Sequence, residues 1–418
     1  MNELPRRATP LVREFLEGFR AVVVNGPRQA GKSTVLGQVQ VNRGPLITLD
    51  DPTQLDLART DPIGFLAQIP PHAAIDEFQR GGAALLLGVK KTLDERNDRG
   101  QLLLAGSTRF LTTRRLAETL TGRVGIVDLL PLSAGEIRGR HEGFLDAVFN
   151  ELTVGDLACE ALGRADYAEQ IAVGGFPELA LGAASDRFRS VWCRSYLDTV
   201  TAPANVEQVG DMRRPDLPGG LVHQVAARSS GEIVVADLAR ELRADETTIR
   251  THLELLQTLY LIRSLPAWTT SLTNRAKRRA VGHLLDTALA CHLLGETATS
   301  LAEPTSRWFG PLLESFVVGE LAKQATWCDA PTSLGQYRDR DQREVDVIVE
   351  RHGRVVAIEI KATATPLTSH ARHIKYLQSK LGERFALGII LHTGTQQLWL
   401  GERIAALPVA ALWADGLA

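Results

Sequence analysis

Short apolar runs alternate with longer mixed stretches in the first third of the chain. AVVVN (21–25), PLITLD (45–50), AAIDE (73–77), QLLLAG (101–106) and VGIVDL (124–129) are too short for helices. Their near-continuous apolar character is that of strands buried on both faces. With helical stretches between them, they predict a parallel sheet with crossover helices over residues 1–140. The period then changes. LDAVFNEL, DYAEQIAVGG and RSVWCRSYLDTV carry apolar residues three and four apart, and predict a helical lid over 141–210. DMRRPDLPGG (211–220) is rich in Pro and Gly and reads as a linker.

Beyond the linker, Leu238 and Leu242 share one helix face, Asp245 fits an N-cap, and Ile249, Leu253, Leu256 and Tyr260 line a second helix. This predicts a winged helix-turn-helix module over 220–300. AEPTSRWFGP (302–311) is the next break. The remainder, 305–418, reads helix, strand, strand, helix, strand. LLESFVVGELAKQ is amphipathic. EVDVIVER and VVAIEIKA are strands joined at His352-Gly353, a tight hairpin.

The first strand leads into candidate chemistry. Residues 26–34 read GPRQAGKST and fit G-x-x-x-x-G-K-[ST], the phosphate-binding P-loop. Gly26, Pro27, Arg28, Gln29, Ala30, Gly31, Lys32, Ser33 and Thr34 are the expected nucleotide-binding set. The glycines let backbone N–H groups curl toward phosphate oxygens, and the following helix N-terminus favours negative charge. Lys32 can reach the β- and γ-phosphates, and the Ser33 hydroxyl can hold Mg²⁺. The third strand ends in Asp76 and Glu77. There Asp76 would hold Mg²⁺ through its waters, and Glu77 would orient or deprotonate the attacking water. Their alternative is a pair of acidic residues capping the next helix. The fourth strand ends in Ser107 and Thr108, either a sensor for the γ-phosphate or a plain strand end.

The order GPRQAGKST, LDDP, IDEFQR, GSTRF and TGRVGIVDLLPLS resembles a prokaryotic family of AAA+-like ATPases whose C-terminal domain is of unknown function. The resemblance continues through GGFPE (174–178), LLDTALACHLLG with Asp286, and EVDVIVERHGRVVAIEIKA, and so spans nearly the whole chain. It implies that Arg123, in the TGR segment, senses phosphate, within its own chain or across an interface. A surface arginine near a helix end is the alternative. GGFPE itself reads as a Gly-Gly turn with Pro177 starting a helix.

A second constellation lies in the C-terminal hairpin. Asp346 starts one strand, and Glu359 and Lys361 lie on the next, in the spacing D, twelve residues, E-x-K. Residues i and i+2 of a strand face the same way, so Glu359 and Lys361 share a face. Asp346 can meet Glu359 across the hairpin, and two carboxylates there can hold Mg²⁺ or Mn²⁺ while Lys361 positions or activates water. This resembles the PD-(D/E)XK nuclease fold, which implies that Glu314, in the preceding helix, is a further acidic metal ligand. The alternative is a solvent-facing hairpin, or a nuclease-like fold used only for binding. His370 and His373 read as helix-surface residues.

Composition adds bounds. The chain has 418 residues, 44% hydrophobic and 23% charged, enough for two to four domains. A net charge of −2 gives no global pull toward nucleic acid, so DNA binding would need a local patch such as Arg275, Lys277, Arg278 and Arg279. The predicted second helix itself is not basic: Arg250 and His252 stand against Asp245, Glu246 and Glu254. The four cysteines form no C-x-x-C pair, which argues against a zinc ribbon and a redox motif. No apolar run reaches the length of a membrane span and the N-terminus is not a signal peptide, so a cytoplasmic location is expected.

The expectation is thus an α/β multidomain protein: a P-loop NTPase sheet, a helical lid, a winged helix-turn-helix module and a PD-(D/E)XK nuclease-like α/β domain. Its expected activity is Mg²⁺-dependent ATP binding and hydrolysis acting on DNA, with a homo-oligomer open. The alternative is a slow regulatory ATP switch whose C-terminal domain binds a protein or nucleic-acid partner without cleavage, in a toxin–antitoxin or defence setting.

Overall fold

The structure is a computed structural model that describes residues 4–96, 98–107, 120, 122–150, 152, 154–155, 157–182, 185–203, 214–270 and 279–415. Its contacts divide it into two units, one of Met1–Leu132 with Thr258–Tyr260, the other of Ser133–Gln257 with Leu261–Ala418.

The first unit is built on strands β1 (Ala21–Asn25), β2 (Leu46–Thr48), β3 (Ala73–Asp76), β4 (Leu102–Gly106) and β5 (Val124–Asp128). All pair in parallel, in the order β2-β3-β4-β1-β5. Alternate residues feed two cores. Val23, Ile75 and Leu104 pack with Phe65, Leu66, Leu85 and Val89 on one face. Val22, Val24, Leu103 and Ala105 pack with Val12, Leu16, Leu36 and Val39 on the other. Burial on both faces is why β1, β3 and β4 are apolar without alternation, whereas the edge strands β2 and β5 are partly exposed, contrary to the expectation for them. The five expected strands are all present.

The second unit begins with helices. Arg164–Val173 stops at Gly174, whose φ of +69° suits a residue without a Cβ, and Pro177 opens the short helix Pro177–Ala180. Asp286 holds this turn: it accepts from Gly175 N at 2.8 Å and caps Thr287–Leu294 through Ala288 N at 2.9 Å. GGFPE and LLDTALACHLLG are therefore one structural joint.

The expected linker needs correction. Helix Leu217–Ala226 takes up its PGG segment, because Pro218 sits in the first turn, where its missing N–H costs nothing. Residues 211–213 lie outside the described residues. After this helix come β6 (Gly231–Glu232), helices Val235–Glu241 and Glu246–Thr258, β7 (Ile262–Leu265) and β8 (Val281–Leu284). These strands form an antiparallel sheet in the order β6-β8-β7.

The last hundred residues build a six-stranded mixed sheet from β9 (Ser333–Arg338), β10 (Glu344–Arg351), β11 (Arg354–Lys361), β12 (Phe385–His392), β13 (Leu398–Gly401) and β14 (Ile404–Pro408). The order is β13-β14-β12-β11-β10-β9. Helix Arg372–Leu381 packs Ile374 and Leu377 against Val355, Ala357, Ile390 and Ala406. Strands β10, β11 and β12 match the expected pattern, whereas β9, β13 and β14 were not foreseen. Gly335 and its polar neighbour Gln336 interrupt the apolar pattern of β9, β13 is a half-exposed edge, and β14 is a short apolar run.

Candidate functional site

The P-loop lies at the carboxyl end of β1, where parallel sheets receive ligands. Gly26 is obligatory: an added Cβ would stand 2.1 Å from the Leu129 carbonyl oxygen. Gly31, at φ +91°, turns the chain into helix Lys32–Gln40. The loop is pinned from behind by Arg6, which sequence reasoning missed. Its guanidinium, 5% exposed, donates to Ala30 O at 2.6 Å and Leu130 O at 2.7 Å. Gln29 is exposed, Arg28 is partly buried, and Thr34 lies in the first turn of the helix.

Lys32 folds over the loop, donating to Gly26 O at 3.1 Å and Pro27 O at 2.8 Å. Burial pushes its pKa down to about 8, against the pull of Glu77 and Asp76. A cation so poorly solvated gains most from an anionic ligand. Ser33 Oγ donates to Asp76 Oδ2 at 2.6 Å, an oxygen pair suited to a hard divalent cation. Asp76 is fixed in turn, since its Oδ1 accepts from Glu77 N at 2.8 Å.

Glu77 sits at φ 50°, ψ 36°, a left-handed conformation costly for a residue with a Cβ. Its Oε2 accepts from Gln79 Nε2 at 2.5 Å, and the same nitrogen donates to Ser107 Oγ at 2.9 Å. The fold thus gathers Lys32, Ser33, Asp76, Glu77 and Ser107 at one end of the sheet. Gln79 joins them; IDEFQR displayed it, but only the pairing of β3 with β4 shows what it bridges. Thr108 lies outside the described residues.

Arg123 is elsewhere, and its expected role within its own chain needs correction. It precedes β5, and its carbonyl accepts from Arg20 N at 3.2 Å and Ala21 N at 3.4 Å. Since β1 and β5 are parallel from Ala21↔Val124 to Asn25↔Asp128, Arg123 stands at the opposite end of the sheet from the P-loop. Its guanidinium binds Asp94 at 2.5 and 3.2 Å.

In the second unit, the β10–β11 hairpin closes through His352 and Gly353, both at positive φ (49° and 78°), as a two-residue turn requires. Its far end is irregular. A β-bulge between Val345 and Ile348 shifts the pairing with β9, and Asp346 lies in it. Bulges of this kind re-aim a side chain. Here Asp346 Oδ2 accepts from Ile360 N at 2.7 Å, beyond the last backbone pair Val347↔Ile358. Glu359 Oε1 accepts from Lys361 Nζ at 2.5 Å, while its Oε2 is buried without a hydrogen-bond partner.

The electrostatics show crowding of like charge. Burial, then Glu359, lifts Asp346 to about 7. Burial also raises Glu359. Burial, then Asp346 and Glu344, raises Glu314, which lies in helix Phe309–Gln324. Burial works to lower Lys361, yet Glu359, Asp346 and Glu314 hold it above its ordinary value. Glu344 is a fourth carboxylate that sequence reasoning missed, although its spacing of two from Asp346 was visible. The orphaned Glu359 oxygen and the bonded lysine suit a divalent cation with part of its shell from water or substrate. Among the described residues, no three His, Cys, Asp or Glu side chains form a protein-only metal cage, here or at the P-loop.

The two histidines are engaged with the backbone: Leu367 N donates to His370 Nδ1 at 3.2 Å, and His373 Nδ1 meets Glu344 O at 2.8 Å. Of the basic patch, Arg275, Lys277 and Arg278 lie outside the described residues, and Arg279 pairs with Glu232 at 3.4 Å. Among the described residues, no helix is long and apolar enough to cross a membrane.

Residues 18–138 match the AAA domain family. With its P-loop, its Ser33–Asp76 pair and its parallel strand order, this part of the chain is an AAA-like P-loop NTPase domain. Residues 164–300 and 309–412 match two families described as domains of unknown function, DUF8612 and DUF4143. Uncharacterized proteins of Mycobacterium tuberculosis and Mycobacterium bovis are each 28% identical over 414 residues, covering 98% of this chain and 85% of theirs. Among solved structures, a Walker-type ATPase of Pyrococcus abyssi is similar over 70% of this chain and 96% of its own, with 16% identity and a TM-score of 0.44. A Thermotoga maritima RuvB variant is similar over 62% of this chain and 86% of its own, with 17% identity and a TM-score of 0.29. At those scores the assignment rests on the P-loop geometry and the AAA match.

Proposed function

We propose that this protein is a Mg²⁺-dependent ATPase that acts on DNA, with a winged-helix module and a PD-(D/E)XK nuclease-like C-terminal domain. One observation carries the ATPase reading: Ser33 and Asp76 share a 2.6 Å hydrogen bond beside Lys32, with Glu77 next in the chain. The loop N–H groups and Lys32 hold the phosphates of ATP. Ser33 and Asp76 would hold Mg²⁺, which would supply positive charge to the phosphates. Glu77 receives the proton of the attacking water as it adds to the γ-phosphorus and ADP leaves.

In the C-terminal domain, Asp346 and Glu359, with Glu314 from helix Phe309–Gln324 close enough to add to their charge, would hold a second divalent metal whose shell water or substrate completes, and Lys361 would position water for phosphodiester cleavage. The bulge at Asp346 and the unpaired Glu359 oxygen support that reading. A second reading, the regulatory ATP switch with a binding-only C-terminal domain, is favoured by the exposed face of helix Glu246–Thr258. It carries Glu246 and Glu254, and Arg250 is paired to Glu246 at 3.0 Å, a poor surface for DNA. The test is one preparation of full chain with Mg²⁺ or Mn²⁺. ATP turnover is compared with Glu77→Gln, and DNA cleavage, with and without ATP, with Asp346→Asn/Glu359→Gln. Turnover that survives Glu77→Gln refutes the first site. Absence of metal-dependent cleavage selects the switch.

A further inference from the structure

The Glu77 carboxylate is not free to turn. Gln79 follows it in the short 3-10 turn Phe78–Gly81, and both protons of its Nε2 are used. One goes to Glu77 Oε2 at 2.5 Å, the other to Ser107 Oγ at 2.9 Å. The bond to the carboxylate is charge-assisted and therefore strong. The other end of the amide gains nothing, for Gln79 Oε1 is buried without a hydrogen-bond partner. A buried carbonyl left unpaired carries a desolvation cost, so the bridge is held by its donor side alone. Beneath it, Glu77 keeps its left-handed backbone, fixed by Glu77 N to Asp76 Oδ1 at 2.8 Å and Arg80 N to Glu77 O at 3.0 Å. Such strain persists where surrounding bonds over-determine it, and two-state elements are built this way.

We propose that Gln79 is a latch on the ATPase site. It holds Glu77 to Ser107, and hydrolysis requires the bridge to part. The proposal rests on the reading of Glu77 as the group that activates water. A triphosphate held by Lys32 brings anionic oxygens to the same end of the sheet. They repel the Glu77 carboxylate and compete for the Nε2 protons, so the nucleotide releases the group that activates the attacking water. Gln79 is thus a positioning residue: it touches neither water nor phosphorus in the reaction, and acts through Glu77.

Two variants of the full chain test this with ATP and Mg²⁺. Gln79→Met keeps the length of the side chain and removes the amide. Gln79→Glu keeps the shape and replaces the donor with a like charge. Both open the latch, so both raise kcat by about 3- to 10-fold. KM and the calorimetric ATP affinity stay within about twofold, a split that a merely structural role would not give. Neither variant accelerates a Glu77→Gln chain, which has no carboxylate to release. If kcat falls or stays level in both variants while Glu77→Gln is inactive, there is no latch. A Glu77→Gln chain that turns over at the parental rate would take the base away from Glu77, and the latch with it.

Discussion

Ser33 and Asp76, 43 residues apart, meet at 2.6 Å although their strands are not neighbours. β4 lies between β1 and β3, and helix Lys32–Gln40 crosses that gap to bring Ser33 to the end of β3. The crossover topology of a parallel sheet therefore makes the P-loop and the carboxylate pair one site. Its predictions concern binding and chemistry separately.

Lys32→Ala removes a buried cation that donates to two carbonyl oxygens of the loop. Charged hydrogen bonds to phosphate contribute about 1.5–3 kcal/mol, so ATP affinity should fall by about 10- to 100-fold, with hydrolysis lost. Calorimetry with ATP and Mg²⁺ measures it; unchanged affinity would show that Lys32 does not reach the phosphates.

Glu77→Gln keeps the side chain's shape but cannot accept a proton. ATP binding should survive and kcat should fall by roughly 10²- to 10⁴-fold. Asp76→Ala should differ in kind, weakening the Mg²⁺-dependent part of binding. A nucleotide-trapping experiment with each variant separates the two.

Arg123 cannot be read the same way. In its own chain it stands at the far end of β5, bonded to Asp94. A role in phosphate sensing then requires a second copy of the chain. Turnover per chain should rise with protein concentration in the parent and stay flat in Arg123→Ala. A parent whose turnover is independent of concentration leaves Arg123 a surface residue.

This placement shows which parts of the site were legible. TGR precedes an apolar run and GPRQAGKST follows one; two parallel strands then put Arg123 and the P-loop at opposite ends. The information was present, but only once both runs are taken as parallel neighbours. The P-loop, Asp76, Glu77 and the Asp346/Glu359/Lys361 spacing were legible because each depends on residue type at a fixed interval along one or two elements. Arg6, Gln79 and the bulge at Asp346 were not. Arg6 acts on a loop 24 residues away, Gln79 spans two strand ends, and a bulge is a register between strands rather than a pattern within one.

A buried pair in the second unit makes stability depend on pH. Burial, then Glu320, pushes Glu142 up to about 8, although Ser133 Oγ and Gly135 N bond it at 2.5 and 2.9 Å. Its ordinary value is near 4.5. The folded chain holds this proton where the unfolded chain releases it, so the stability it contributes is present at low pH and is lost as pH rises toward 8. Between pH 6 and 8.5 the parent should lose about 2–3 kcal/mol more than Glu142→Gln, from 1.36 kcal/mol per unit. Urea unfolding at the two pH values checks it, and equal losses would show that Glu142 is already ionised at pH 6.

The carboxylates of the C-terminal hairpin give the last prediction. Glu359 raises the proton affinity of Asp346, and both raise that of Glu314, so a divalent cation that joins them relieves repulsion. Mn²⁺ should then raise the melting temperature of the full chain without nucleotide, by mass action on the folded state. The Lys32→Ala background keeps the P-loop out of the comparison, because the Mg²⁺ there is held largely through ATP. Asp346→Asn with Glu359→Gln should abolish the Mn²⁺ shift and leave the metal-free melting temperature equal or higher, since two crowded charges are gone. Lys361→Ala should keep the shift, because an ammonium is not a ligand, while losing any strand cleavage. If Mn²⁺ stabilises the double variant as much as the parent, the cation binds elsewhere. The hairpin would then be a strained carboxylate cluster without a metal, and the case for cleavage at Lys361 would fall with it.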